Sequence, residues 1–342
     1  MAKLQSQTRL KIALVGSETL LGKELDDVVG SRSAAQMLNF AASGEGNFGE
    51  AEGEAVYVEP LETRTLQDAR AVLIAGTREG ALKAYQLAKA AGGRLIVIDC
   101  TGHLENQPET RIVAPLVSDV EPGKSWLFEI AHPAASALAL CMKRLSRQHK
   151  IIQVLAHVFE PASEQGTPGI LELQKQTTNL LAFKPLDQKI FDAQLSFNLL
   201  AQYGEDSVTK LSAVEGRIER DVATILSGER AGGGTIPMPS IRVVGAAVFH
   251  GYSLSVWMEF ESGLTAEALG EALASAQIEV RGPKEEVPTG VGAAGQSGII
   301  AGDIRIDRNN PRAAWFWMVG DNLRLTADAA ADLVNKLESA PQ

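Results

Sequence analysis

Apolar residues come first in short unbroken runs and later in alternation, and that change divides the chain in two. Ile12–Val15, Ala71–Ala75 and Arg94–Asp99 are nearly continuous apolar runs, the pattern of strands buried on both faces of a parallel sheet. Leu38–Ser43 supplies a further strand. Helical periodicity follows the first two turns: Leu21, Leu25 and Val28 after Gly16, and Glu79–Ala91 after Gly76-Thr77, stopped by Gly92-Gly93. Alternating units of this kind predict an α/β domain over residues 8–130, a Rossmann-type doubly wound parallel sheet.

Beyond residue 130 the pattern changes. Pro133, small residues and then strong helix formers up to Cys141 predict a helix starting near Ala134, with Lys143 and Arg144 in its later turns. Lys150–Glu160 and Tyr252–Phe260 alternate as half-buried strands do, and Ile241–Phe249 and Ala313–Val319 are further strands. Gly169–Leu181, Leu211–Ser227 and Leu264–Gln277 read as helices, Gly232–Gly234 as a flexible loop and Ile278–Gly302 as a loop-rich section. Mixed elements without βαβ regularity predict an α+β dimerisation and substrate domain over 131–320, with the closing helix, 321–338, packing back on the first domain.

Composition narrows the function. The chain has 342 residues, 45% of them apolar, so a sizeable core is available, and disorder is expected only at Met1–Thr8 and the last few residues. A net charge of −10 argues against nucleic acid or an anionic membrane as partner. Two cysteines, Cys100 and Cys141, make no disulfide framework, and no Cys/His cluster has metal-ligand spacing. No apolar run approaches the roughly 18 residues of a spanning helix, and no signal core opens the chain, so a cytoplasmic protein is expected.

The candidate cofactor site lies at the strand ends of the first domain. Gly16, Thr19, Leu20, Leu21 and Gly22 form the first turn, with Thr19 where a glycine would let backbone approach a pyrophosphate. Ser43 and Glu45 follow the second strand, and Gly76, Thr77 and Thr101 follow later ones. If a nicotinamide nucleotide binds, the Glu45 carboxylate favours NAD over NADP, because it would repel a 2′-phosphate; Glu45 reads equally as a solvated loop charge. Cys100, beside this crevice, reads as packing, since nothing basic follows it closely in sequence.

The order of segments resembles the aspartate-semialdehyde dehydrogenase family: Val15-Gly16 to Gly22, Val97-Ile98-Asp99, the Pro-then-helix stretch at 130–141, Ser163 to Gly166, Phe197-Asn198, Val248-Phe249 with Gly251, and Asp321-Asn322-Leu323-Arg324. The resemblance covers nearly the whole chain and implies a cytoplasmic homodimer that reduces an aspartyl phosphate through a thioester with NADPH. That reaction needs a thiolate at a helix start, a His to move its proton, a polar group to orient the intermediate and an Arg for the substrate carboxylate. The family's catalytic Cys falls on Ala134 or Ala135, its Gln on Glu160, its Arg on Gly245 and its His on Tyr252. The Ser-x-Arg that holds a 2′-phosphate reads Ser43-Gly44-Glu45, and the phosphate-binding Arg after Asp99 falls on Glu105. Arg217 matches a basic position of the family.

Cys141 lies about two helical turns past the terminus, on the order of 10 Å away and out of reach of the turn. A hydrolase-like site would need Ser136 to meet His132 or His250 as its base. The expectation is a catalytically degenerate homologue with a binding, regulatory or structural role, a homodimer with a second protein as a further candidate partner, and no cofactor or NAD(P). The alternative is an active NAD(P)-dependent semialdehyde dehydrogenase or reductase with altered substrate and mechanism, Tyr252 donating the proton.

Overall fold

The computed structural model describes residues 9–51, 54–227, 230–231 and 234–339. The stretch Met1–Thr8, the residues after Ser339, and Gly232 and Gly233 of the glycine loop lie outside the described residues. The chain forms two compact units: one holds residues up to Pro115, Asp119–Ala131 and the chain from Thr326 onward, and the other holds Leu116–Ser118 and His132–Leu325.

In the first unit, β1 (Lys11–Val15), β2 (Gln36–Phe40), β5 (Ala71–Ile74), β6 (Ile96–Asp99), β7 (Arg111–Val113) and β8 (Leu127–Ile130) make a six-stranded parallel sheet in the order β2-β1-β5-β6-β8-β7. β3 (Asn47–Ala51) and β4 (Glu54–Val58) form a separate antiparallel hairpin. Helices α1 (Leu20–Arg32) and α2 (Arg78–Ala90) start at side-chain caps: the Thr19 and Thr77 hydroxyls accept the N–H groups of Gly22 and Gly80. Residues Ala327–Leu337 of the final helix join Ile12, Leu14, Leu25, Leu73 and Ile98 in one core.

The glycine turn is required by packing as well as by any ligand. Gly16 has φ +92°, and a Cβ there would stand 2.6 Å from the Gly76 backbone, while a Cβ on Gly22 would stand 1.9 Å from the Gly16 carbonyl oxygen.

In the second unit α3 (Pro133–Ser146) leads into β9 (Ile151–Glu160), a 3-10 turn at Ala162–Gln165 and α4 (Gly166–Leu181). Then come β10 (Leu199–Leu200), α5 (Leu211–Leu226), the paired fragments β11 (Arg230–Ala231) and β12 (Gly234–Thr235), β13 (Ser240–Ala246), β14 (Tyr252–Phe260) and α6 (Ala266–Leu273). The unit is completed by β15 (Ile278–Val280), α7 (Gly290–Ala293), β16 (Ile299–Ile306), β17 (Ala313–Gly320) and the first turn of α8 (Asn322–Ser339). A seven-stranded mixed sheet runs β10-β13-β9-β14-β17-β16-β15. Alternation gives it one buried face, with Val154, Val158, Leu254, Val256, Met258 and Phe316 on it, and α3, α5 and α6 pack on β9, β13 and β16. Its other face carries half-exposed Leu155, Phe159, Trp257 and Trp317 and exposed Trp315.

Two expectations change here. The section Ile278–Gly302, read as loop, contains β15, α7 and the start of β16. Its strand signal is hidden because β16 breaks register between Gly302 and Arg305, where Asp303 takes φ +47°. The helix expected over Leu264–Gln277 is confined to Ala266–Leu273, capped by Thr265 and followed by extended backbone at Ala274.

Candidate functional site

The second unit places one cluster of buried polar side chains at the start of α3 and around the ends of β9 and β14. Pro133 occupies the first helical turn, and Ala134 and Ala135 behind it are fully packed away. The cap is His132, whose Nδ1 accepts the Ala134 N–H at 3.2 Å. That bond places the ring proton on Nε2, which lies 3.2 Å from the Tyr252 hydroxyl oxygen and donates to it. The His132 backbone N–H donates to Asp221 Oδ2 at 2.8 Å, and Asp221 is paired with Arg220 at 2.8 Å, both on α5. Burial, and then the Arg217 and Arg220 charges, hold the His132 ring well below the usual histidine range, so it stays neutral.

Tyr252 opens β14 directly after Gly251, whose φ of +86° turns the chain and whose N–H donates to Asn322 Oδ1 at 3.0 Å. Its phenol also meets Glu164, and Asn322 Nδ2 donates to that carboxylate at 2.7 Å. Ser163 Oγ completes the cluster at 3.2 Å from Asn322 Oδ1. Burial raises the Glu164 acid above the usual range, against the pull of Asn322, Arg217 and Tyr252. Burial, followed by the neighbouring carboxylates, pushes the Tyr252 phenol well up.

At the end of β9, Glu160 is fully buried and accepts the Tyr203 hydroxyl at 3.2 Å on Oε1. Its Oε2 makes no hydrogen bond of normal geometry, although Gln165 faces it closely enough to ease its ionisation. Burial, with Glu164's charge behind it, pushes the Glu160 acid up to about 8. In the sheet, Gly245 lies beside Glu160 on one side and Leu200 on the other. A Cβ at Gly245 would stand 2.5 Å from Tyr203 Cε1 and 2.8 Å from its hydroxyl oxygen, so the Tyr203 ring occupies the space into which a side chain at 245 would project. Phe191 backs that ring with centroids 5.1 Å apart.

Glu160, Gly245 and Tyr252 thus meet in one cluster, and His132 ties it to the Ala134 amide. Arg217 acts on it from α5. Tyr203, Glu164 and Asp221 were missed, and no local spacing marks them; the Asn322 motif was visible in the sequence but its partners were not. No hydrogen bond joins Ser136 to His132's ring or to His250 among the described residues, and both His132 nitrogens are engaged elsewhere. Cys141 is fully buried with its thiol pushed up to about 12, and burial raises Cys100 well above the usual range, so neither supplies a thiolate.

In the first unit the glycine turn answers its own amides. Thr19 Oγ1 has the Gly16 and Ala75 carbonyl oxygens at 2.8 and 3.0 Å to share its one proton, while accepting the Gly22 N–H at 2.9 Å. Leu20 and Leu21, half-buried, follow as the first helical residues. Glu18 accepts the Ala42 N–H at 2.9 Å, and the Thr77 N–H and hydroxyl both donate to the Ala42 carbonyl, against which Gly76 also packs. Thr101's hydroxyl donates to Asp99 at 2.6 Å. Ser43 bonds the Glu45 backbone, and Glu45 pairs at 2.5 Å with Lys83, which also donates to the Gly44 carbonyl. The Glu45 carboxylate, on which the expected preference for NAD rests, is thus ion-paired with Lys83 rather than free to face a ribose. Thr19 takes both the space of the missing glycine and one of the helix-start amides, so this loop does not fit a pyrophosphate as a three-glycine turn does. Among the described residues no group of acidic, His or Cys side chains could hold a metal ion.

A parallel six-stranded unit followed by a mixed seven-stranded one, with the polar cluster at a helix start after Pro133, defines a semialdehyde-dehydrogenase-type chain. The family model for the semialdehyde dehydrogenase dimerisation domain matches residues 143–325. The chain is 30% identical to a USG-1 protein homolog of Pseudomonas aeruginosa over 96% of this chain and 97% of that protein. A solved structure of a probable aspartate-semialdehyde dehydrogenase from Pseudomonas aeruginosa, 28% identical, superposes with a TM-score of 0.80 over 97% of this chain and 99% of that one. An aspartate semialdehyde dehydrogenase from Candida albicans, solved with NADP, shares the fold at 13% identity, with a TM-score of 0.68 and coverage of 97% and 99%. The chain belongs to the aspartate-semialdehyde dehydrogenase family.

Proposed function

We propose that this chain is a catalytically degenerate member of its family, a homodimer with a binding, regulatory or structural role. One observation carries the reading: where the family's catalytic positions fall, the chain has Ala134 or Ala135, Glu160, Gly245 and Tyr252, and the space over Gly245 is filled by Tyr203. A site with no thiolate, and with a buried acid facing the position of the carboxylate anchor, lacks the nucleophile for a thioester and the anchor for the substrate carboxylate, and Arg217 alone does not replace them. The test is turnover by the purified protein with aspartate semialdehyde, phosphate and either nicotinamide cofactor. No turnover is expected; activity within about tenfold of a true family member, a barrier difference of about 1.4 kcal/mol, would sink the reading.

The competing reading, hydride transfer to a carbonyl with Tyr252 as proton donor, leans on the His132–Tyr252 contact. A phenol pushed well above its usual range by burial and flanking carboxylates is a poor acid at neutral pH, which favours the degenerate reading. The Lys83 ammonium beside Gly44 and Glu45 leaves no electrostatic ground for preferring NAD; if a nicotinamide nucleotide binds, NADP is as well accommodated, in line with the relative solved with it.

The dimerisation-domain match supports the homodimer. We assign its contact to the sheet face bearing Leu155, Phe159, Trp257 and Trp315, because the indoles of Trp257, Trp315 and Trp317 already donate to Asp307 or the Pro288 carbonyl and can be covered without stranding a donor. We place its site of action in the cytoplasm; among the described residues no helix is long and apolar enough to cross a membrane.

A further inference from the structure

We propose that Phe197 is a preformed knob that docks on a second copy of this chain, carrying the dimer contact from the tryptophan face of the mixed sheet onto its β10 edge. Phe197 takes φ +61°, a left-handed backbone that bulky side chains rarely adopt, and is 66% exposed. A glycine would make the same bend without steric cost, and with most of its surface in water the ring does little for the packing of its own chain. The bend is imposed by two buried side chains one turn apart on α4. Glu172 accepts the Ile190 and Phe191 N–H groups at 2.7 and 3.1 Å. Gln176 accepts those of Leu195 and Ser196 at 2.8 and 3.1 Å, and its own amide donates to the Asp187 and Ala193 carbonyls, both at 2.9 Å. Beyond the bend, the Asn198 N–H donates to the Leu195 carbonyl at 2.9 Å. Phe197 is thus fixed on both sides, so its backbone needs no further ordering when a partner arrives.

The place of the knob on the sheet selects its occupant. Leu199, 65% exposed, pairs with Ala246 at the sheet edge, and Val244, two residues before Ala246, pairs with Phe159. Leu155 of β9 lies opposite Trp257, and Trp257 opposite Trp315. Side chains alternate between the faces of a strand, so Leu199 shares one face with Phe159, Trp257 and Trp315. The exposed edge is therefore continuous with the face assigned to the dimer, and all of it falls within residues 143–325, matched by the dimerisation-domain model. A second copy already seated on that face is the occupant within reach of the edge. In a two-fold dimer every contact is made twice, so each Phe197 counts double. The inference rests on the homodimer reading and adds a contact residue to it.

Sedimentation equilibrium of the full chain over a dilution series, beside Phe197→Ala and Phe197→Gly, tests it. Both variants should raise the dissociation constant of the dimer by at least about tenfold, with far-ultraviolet circular dichroism unchanged. They should agree with each other within about threefold, because the ring and not the backbone makes the contact. At concentrations where both are monomeric, the urea midpoint of F197G should exceed that of F197A, since only glycine relieves the left-handed strain. A native chain that stays monomeric at millimolar concentration overturns the homodimer and the knob together. A native dimer whose dissociation constant is unchanged in both variants overturns the knob alone, the ring then facing another protein or water. A midpoint of F197G below that of F197A overturns the strained presentation on which the knob is built.

Discussion

Placing a single methyl group at Gly245 probes the filled site directly. Gly245 lies in the middle of the sheet with an ordinary strand backbone, so Gly245→Ala brings no conformational strain, only the contact of its Cβ with the Tyr203 ring at 2.5, 2.8 and 2.9 Å. All three distances are below van der Waals contact, and the ring cannot retreat freely because Phe191 backs it and Glu160 holds its hydroxyl. Overpacking of this kind costs about 1–3 kcal/mol, against which the reduced freedom of the unfolded chain returns about 0.4–1 kcal/mol. A net loss of about 0–2.6 kcal/mol is expected in the native background. With Tyr203→Ala, which by itself should destabilise by about 3–5 kcal/mol, the obstruction is gone and G245A becomes neutral or stabilising. Urea unfolding of the four proteins of this cycle gives the coupling, expected at about 1–3 kcal/mol with a change of sign in the effect of G245A. Equal losses from G245A in both backgrounds would show that Tyr203 does not occupy the space, and the account of the site would fall with it.

Stability should also depend on pH through Glu160. An acid raised from 4.5 to about 8 by folding contributes fully below about pH 4.5, and its contribution is lost as pH rises toward about 8, at up to about 1.4 kcal/mol per unit. The denaturation midpoints of the native chain and E160Q should therefore agree near pH 4.5 and separate toward pH 8, the variant being more stable by up to several kcal/mol; a constant gap would contradict this. Neither cysteine should react with a disulfide-exchange reagent in the folded protein, since Cys141 is fully buried with its thiol pushed up to about 12 and Cys100 is 6% exposed; both should label in urea, and fast labelling of either in the native state would be against the packing described. Trp315→Glu, at 38% exposure on the assigned contact face, should shift sedimentation from dimer to monomer with far-ultraviolet circular dichroism retained; a dimer that persists would move the interface elsewhere.

The first sheet is largely legible in the sequence because parallel strands buried on both faces leave unbroken apolar runs, as Ile12–Val15 and Ala71–Ile74 do. β8 escapes because Glu129, fully buried, interrupts Leu127–Ile130 with a carboxylate that reads as a surface residue. β16 escapes through its irregular register at Gly302–Arg305. At the site, the positions proposed to be substituted follow from the family resemblance, which gives each family residue a place in the chain. What fills the emptied space does not follow, because Tyr203 lies in a stretch without periodicity and its role is set by the absence of a Cβ far away at Gly245. Likewise His132 enters the sequence reading only as a possible base for Ser136, until the fold brings Tyr252 to one ring nitrogen and the Ala134 amide to the other.

The glycine turn of the first unit has a consequence for how the protein is kept in a cell. Thr19 sits on the Gly22 amide, Glu18 on the Ala42 amide and Asp99 on the amides of Thr101, Gly102 and Leu104, all with the chain's own oxygens. In a nucleotide-dependent fold such donors await a phosphate, and the empty protein is the weaker one, rescued by mass action when ligand is plentiful. A unit that carries its own counter-oxygens should persist at a constant level through swings in nicotinamide supply.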